Sequence, residues 1–172
     1  MVEKQGGMES VNIREISSEA DVARLVKVAR RVWREANVSF CSAEQVEYML
    51  ARYQSFEAIL GQMMNGYRYF VFEHQGDIVG YFGVQNQGPR LFLSKFYVMR
   101  EWRGSGLFSL GLEVMRRICH QEDMGAIYLT VNRENYHACE VYRHKGFEVI
   151  AQEDNDIGCG FVMNDYIMEL AL

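Results

Sequence analysis

A chain of 172 residues is long enough to bury a core without disulfide or metal staples, and it reads as one domain, residues 1–172, behind a flexible leader of residues 1–10. Apolar residues make up 49% and charged residues 24%, with one proline, which excludes a disordered chain. The formal net charge of −5 argues against a dedicated nucleic-acid binder, which needs a clustered excess of Lys and Arg, and suits a cationic partner.

In chain order, Val11–Ile16 alternates apolar and polar residues and predicts a strand with one buried face. Ser18 with Asp21 marks a helix start, and Leu25, Val28, Val32 and Ala36 carry an amphipathic helix to about Asn37. Ser42 with Gln45 fits a capping box for a second helix through Tyr53, and a third spans Phe56 to Met64 before Gly66. From Tyr67 the period changes to two. Tyr67–His74 and Ile78–Gln85 flank a three-residue loop, Gln75-Gly76-Asp77, and predict a hairpin. A turn over Asn86–Arg90 leads to a third meander strand, Leu91–Met99.

A loop bearing Gly104 and Gly106 follows, then a helix with Leu107, Leu110, Val114 and Ile118 on one face, widened by Leu112 and Met115. Ala126–Val131 is a short buried strand, expected parallel to the strand before the loop because a helix connects them. A helix over Asn135–Lys145, with Ala138, Val141 and Tyr142 inward, stops at Gly146. Phe147–Ile150 and Phe161–Glu169 read as closing strands across an acidic turn, Glu153–Asp156. The fold class is a mixed α/β sheet with a mostly antiparallel order and one βαβ crossover.

Cys41, Cys119, Cys139 and Cys159 are scattered without zinc spacing, and the four histidines have no partner at metal-ligand spacing, so no metal is expected. Reduced cysteines and the lack of an apolar signal core or membrane-length run point to the cytoplasm and away from a membrane. Met8 is an alternative start to Met1.

The loop itself is a candidate anion site. Glycines leave main-chain N–H groups uncovered, and the first turn of the following helix adds unpaired donors and partial positive charge. The spacing Arg103-x-x-Gly106-x-Phe108 resembles the acetyl-CoA segment R/Q-x-x-G-x-G/A of the GNAT N-acetyltransferases, with Phe108 where that family has a small residue. A second stretch, Asn135-x-x-Ala138-x-x-x-Tyr142-x-x-x-Gly146-Phe147, resembles the family's N-x-x-A-x-x-x-Y-x-x-x-G-F. More weakly, Leu93–Tyr97 and Gly158–Met168 resemble the PaiA-type bacterial spermidine/spermine N-acetyltransferases.

The resemblance implies acetyl-CoA as co-substrate. Arg103, Gly104, Ser105, Gly106, Leu107 and Phe108 would hold its pyrophosphate, and Phe96, Tyr97 and Val98, on the splayed end of the meander strand, would pair with the pantetheine arm. The Tyr97 or Val98 N–H would stabilise the thioester oxyanion. Asn135 would bind the cofactor or serve as a helix cap, and Tyr142 would protonate the departing thiolate, a task suited to a phenol of reference pKa about 10. The general base stays unassigned: where many relatives carry Glu, this chain has Ser94 and Lys95, leaving Glu44, Glu47, Glu57 or a water chain. The acceptor is a small primary amine, first a polyamine; the alternatives are a protein or peptide N-acetyltransferase and a non-catalytic acyl-CoA-binding module. A dinucleotide oxidoreductase fits poorly because Gly111 lies too far from Gly106. Exposed strand edges make a homodimer reasonable.

Overall fold

The computed structural model describes residues 11–39 and 41–172; the leader lies outside them. The element order is β1 (Val11–Glu15), α1 (Glu19–Asn37), α2 (Ala43–Tyr53), α3 (Phe56–Met64), β2 (Tyr67–His74), β3 (Asp77–Gln87), β4 (Arg90–Val98), a 3-10 turn (Arg100–Trp102), α4 (Leu107–Gln121), β5 (Ala126–Asn132), α5 (Tyr136–His144), β6 (Glu148–Gly158) and β7 (Phe161–Ala171). The seven strands take the order β1-β2-β3-β4-β5-β7-β6, with β4 and β5 parallel and the pairs β1–β2, β5–β7 and β6–β7 antiparallel. The mixed α/β class and the parallel β4–β5 neighbours are as the sequence predicts. The chain clusters into two compact units, one made of residues up to Val84 with Lys95–Val114, the other of Gln85–Ser94 with Met115–Leu172.

In the first unit each helix begins at a serine whose hydroxyl accepts a main-chain N–H: Ser18 from Asp21, Ser42 from Gln45 and Ser55 from Ala58, each at 3.1 Å. Val22, Leu25, Ala29, Val32 and Trp33 form the buried stripe of α1, and Ile59 is the buried residue of α3. Both faces of β2 are covered, which is why Tyr69, Phe70, Val71 and Phe72 are all buried in an unbroken apolar run. Tyr69, Val71 and Tyr81 join the cluster of Val22, Leu25, Ala29 and Ile59. Phe70 stacks on Phe82 at 4.8 Å, Phe82 on Phe96 at 5.5 Å, and Phe72 tilts against both.

Gly111 of α4 lies against this aromatic layer. A Cβ there would stand 2.6 Å from Phe96 Cε2 and 3.2 Å from Phe72 Cζ. Gly111 is thus a packing glycine, unconnected with the turn at Gly104–Gly106. The buried stripe of α4 is Leu107, Gly111, Leu112, Met115, Ile118 and Cys119, with Leu110 and Val114 half-buried. This corrects the predicted face by a rotation, because the glycine allows the closest approach. Gly111→Ala gains about 1 kcal/mol of helix propensity but overpacks two rings at a cost of about 1–3 kcal/mol. Urea denaturation is expected to show net destabilisation; an Ala variant as stable as the parent would refute the tight contact.

In the second unit, β5 registers with β4 from Arg90↔Ala126 to Leu93↔Leu129 and with β7 from Ala126↔Ala171 to Asn132↔Asp165. Ile127, Leu129, Met168, Leu170 and Phe147 are buried. Cys139 is the buried residue of α5; Ala138, Val141 and Tyr142, predicted inward, are half-buried.

Two turns differ from expectation. The first hairpin closes over two residues, Gln75 and Gly76, with φ of 51° and 88°, and Asp77 already belongs to β3. Glu153–Asp156 is strand, not turn: β6 pairs with β7 through Asp156↔Val162, and the chain reverses at Cys159 and Gly160, with φ of 54° and 77°. A strand at the rim of a sheet with nearly every side chain exposed needs no apolar alternation, so its carboxylates imitate a loop.

Candidate active site

The end of β4 from Lys95, the glycine turn and α4 as far as Val114 lie in the first unit. Gly80 of β3 is where the backbone of β4 comes close: a Cβ would meet Tyr97 O at 2.9 Å. Met99 N donates to Val79 O at 2.9 Å. Main-chain groups alternate sides along a strand, so the Tyr97 amide turns the same way, and those of Phe96 and Val98 turn away from β3. Of the two oxyanion donors left open by the sequence, alternation favours Val98.

Gly104 and Gly106 have φ of 75° and 88°, a region glycine enters without strain. Around Gly104 a Cβ would meet nothing within 4 Å, so the turn is open on that side. Ser105 Oγ donates to Trp102 O at 2.5 Å, and Leu110 N donates to Gly106 O at 3.2 Å as the first bond of α4. Leu107, Phe108 and Ser109 thus form the first turn of α4, the positive end of the helix. Arg103 is 39% exposed, with two long contacts, to Val98 O at 3.4 Å and to Glu35 at 3.9 Å. Phe108 sets its ring edge-on to Phe96 at 4.8 Å, so the ring is turned onto the aromatic layer. These residues fit a pyrophosphate: a glycine turn open at Gly104, a helix start and a loosely tethered guanidinium.

Asn135 and Tyr142 belong to the second unit. Asn135 caps α5, its Oδ1 accepting from Ala138 N at 3.2 Å. Tyr142 stands 5.7 Å from the Phe147 ring, and its carbonyl accepts from Phe147 N.

Among the glutamates considered as base, Glu47 is held by Arg34 at 2.6 and 2.9 Å. Two charged residues that the sequence leaves without a role are buried. Lys95, 8% exposed, donates from Nζ to Tyr53 O at 2.9 Å, Gln62 Oε1 at 2.7 Å and Tyr69 Oη at 2.5 Å. The Tyr69 hydroxyl in turn donates to Gln62 Oε1, and the Tyr69 ring lies across Gly83, where a Cβ would be 2.9 Å away. Burial pushes Lys95 down to about 7 and Tyr69 well above the usual phenol range. Asp165 is also 8% exposed, and burial pushes it up to about 6. The signal for both is a charge set where strand alternation calls for an apolar side chain. Among the described residues no group of three or more His, Cys, Asp or Glu is arranged to hold a metal, and no helix is long and apolar enough to cross a membrane.

An antiparallel run, a glycine turn into a helix and a parallel strand after it make the frame of an acetyltransferase. The acetyltransferase (GNAT) domain matches residues 37–170, and the chain belongs to that family. Its fold is similar to that of the PaiA N-acetyltransferase from Thermoplasma acidophilum in complex with coenzyme A, at 22% identity and TM-score 0.81 over 95% of this chain and 99% of that one. It is also similar to a GCN5-related N-acetyltransferase from Rhodopseudomonas palustris (15% identity, TM-score 0.80, covering 98% and 99%). The ribosomal-protein-S18-alanine N-acetyltransferase from Escherichia coli is a further neighbour (17% identity, TM-score 0.68, covering 94% and 93%). Among curated protein sequences, none matches the chain.

Proposed function

We propose that the whole chain works as one cytoplasmic acetyltransferase domain that moves the acetyl group of acetyl-CoA to a primary amine on a small molecule, a polyamine first among them. The neutral amine nitrogen forms a bond to the thioester carbonyl carbon and sheds a proton to solvent. The C–S bond breaks, and the CoA thiolate takes a proton from Tyr142, which solvent restores. The Val98 N–H meets the oxyanion as it develops. Arg103, the amides from Gly104 to Phe108 and the start of α4 take the pyrophosphate, the Phe96 and Val98 backbone takes the pantetheine arm, and Asn135 orders α5 beneath Tyr142. The observation that carries this reading is the turn itself: two glycines at positive φ, open at Gly104, leading into α4 behind a strand whose Phe96 and Val98 amides turn away from β3. The net charge of −5 favours a cationic acceptor.

The test is a thermal-shift titration followed by an amine panel assayed for CoA release. Acetyl-CoA at a hundredfold excess over Kd is expected to raise Tm by about 5–10 °C, and NAD is expected not to. Spermidine and spermine are expected to lead the panel. Turnover of a peptide bearing a free α-amino group in their place would move the acceptor to proteins. Binding of acetyl-CoA with no turnover would leave an acyl-CoA-binding module.

A further inference from the structure

β7 carries Asp165 opposite Asn132, the last residue of β5, and opposite Glu153 of β6. Partners in register share a face, so Asp165, Asn132 and Glu153 stand side by side at the C-terminal end of β5. Asp165 is buried, and among the described residues its Oδ1 has no hydrogen-bond partner. A buried carboxylate oxygen left unpaired is costly to keep, which marks it as a group awaiting a ligand.

Among the described residues no cation is bonded to it: Arg133, whose charge acts on it, donates to Gln152 Oε1 at 3.0 Å and is bound to Asp154. Gln152 and Asp154 register with Tyr166 and Asn164, and so alternate to the opposite face from Glu153 and Asp165. On the near face Asn132 Oδ1 is already engaged by Glu134 N at 2.9 Å, and Glu153 adds a second negative charge. The face is rich in acceptors and lacks a positive partner, the complement of an alkylammonium.

Resting on the acetyltransferase reading, we propose that Asp165, supported by Glu153, holds the acceptor amine and is the base that takes its proton. The amine arrives as an ammonium against the carboxylate and gives one proton to Asp165, which passes it to solvent, leaving the amine neutral. As nitrogen bonds to the thioester carbon, the N–H that must be lost becomes acidic and passes to Asp165 Oδ1. The C–S bond breaks, the thiolate takes a proton from Tyr142, and after the amide leaves the proton held by Asp165 returns through solvent to the Tyr142 phenolate. Burial suits this group to the task by raising its pKa toward neutrality, with Arg133 opposing and Glu153 and Asp154 reinforcing the shift.

The experiment compares wild type, Asp165→Asn and Asp165→Glu in the CoA-release assay across pH 5 to 9, alongside acetyl-CoA binding. For the best amine of the panel, wild-type kcat/KM is expected to rise with pH along a limb centred near 6. Asp165→Asn is expected to lose that limb and about 100-fold or more in kcat/KM, with acetyl-CoA affinity unchanged, and Asp165→Glu to restore part of the rate and a limb of its own. Asn is nearly isosteric and removes a buried charge, so a melting temperature at or above wild type is expected. Turnover by Asp165→Asn within threefold of wild type, with the limb intact, overturns the assignment of Asp165 alone. A wild type that fails to acetylate any amine overturns the transferase reading and this one together.

Discussion

Tyr142→Phe is expected to lower kcat by about 100-fold or more, because a positioned general acid contributes roughly 10²–10⁴-fold. The substitution removes one oxygen and keeps the ring that stands 5.7 Å from Phe147, so the packing of α5 is retained. Acetyl-CoA affinity should change by less than about threefold, since in the proposed mechanism the phenol acts on the thiolate only as the C–S bond breaks. Stopped-time assays of CoA release with the best amine, together with direct acetyl-CoA binding, separate the two quantities. A variant with wild-type kcat would return Tyr142 to a packing role, and one with weakened binding but wild-type kcat would make it a cofactor contact. Acetyl donors with more acidic thiols should recover much of the lost rate, because their thiolates leave without protonation.

The second large effect concerns stability. Lys95 is pushed down to about 7 from an ordinary 10.5, so between those values the unfolded chain binds the proton that the folded chain has released. Stability therefore rises with pH through that window and is flat, as far as Lys95 is concerned, below pH 7. At about 1.4 kcal/mol per unit, the rise from pH 7 to 9.5 has a ceiling of about 3 kcal/mol. The acceptors at Tyr53 O, Gln62 Oε1 and Tyr69 Oη reduce it by favouring the ammonium. Lys95→Met should flatten the curve, and the difference between the two proteins cancels the titration of every other group. The scan stops near pH 9.5 because Tyr69 and Tyr81 are both raised by burial, and their ionisation in the unfolded chain erodes stability above about pH 10. Urea denaturation of both proteins at four pH values is the measurement. Parallel curves would mean that Lys95 keeps its proton throughout.

Most of the fold is legible in the sequence because its determinants are local. Ser18, Ser42 and Ser55 stand one residue ahead of their helices, and the change from a three-to-four-residue to a two-residue period at Tyr67 marks the passage from helices to sheet. The glycine turn is legible for a similar reason: it requires a backbone conformation, and glycine spacing reports backbone directly. What escapes depends on partners distant in sequence. Nothing near Lys95 reveals that the end of α2 supplies an acceptor to it from 42 residues away. Asp165 follows Asn164 in β7 as one polar residue after another, and only the strand register sets it beside Asn132 and Glu153. The misplaced acidic turn has the converse cause, for β6 is exposed along nearly its whole length and carries no alternation to betray a strand.

That exposed strand bears on how copies of the chain meet. β6 is last in the strand order, and its side chains include Glu148, Glu153, Asp154 and Asp156. Two copies joining edge to edge there would bring carboxylates into cross-strand register with their own kind, at separations of about 5 Å where like charges repel. The rim thus acts as an electrostatic fender against edge-to-edge pairing of copies through β6 at neutral pH. Replacing Glu153, Asp154 and Asp156 by their amides strips the fender away: the same strand then presents a long uncharged edge, and self-association through it should begin, as sedimentation would read.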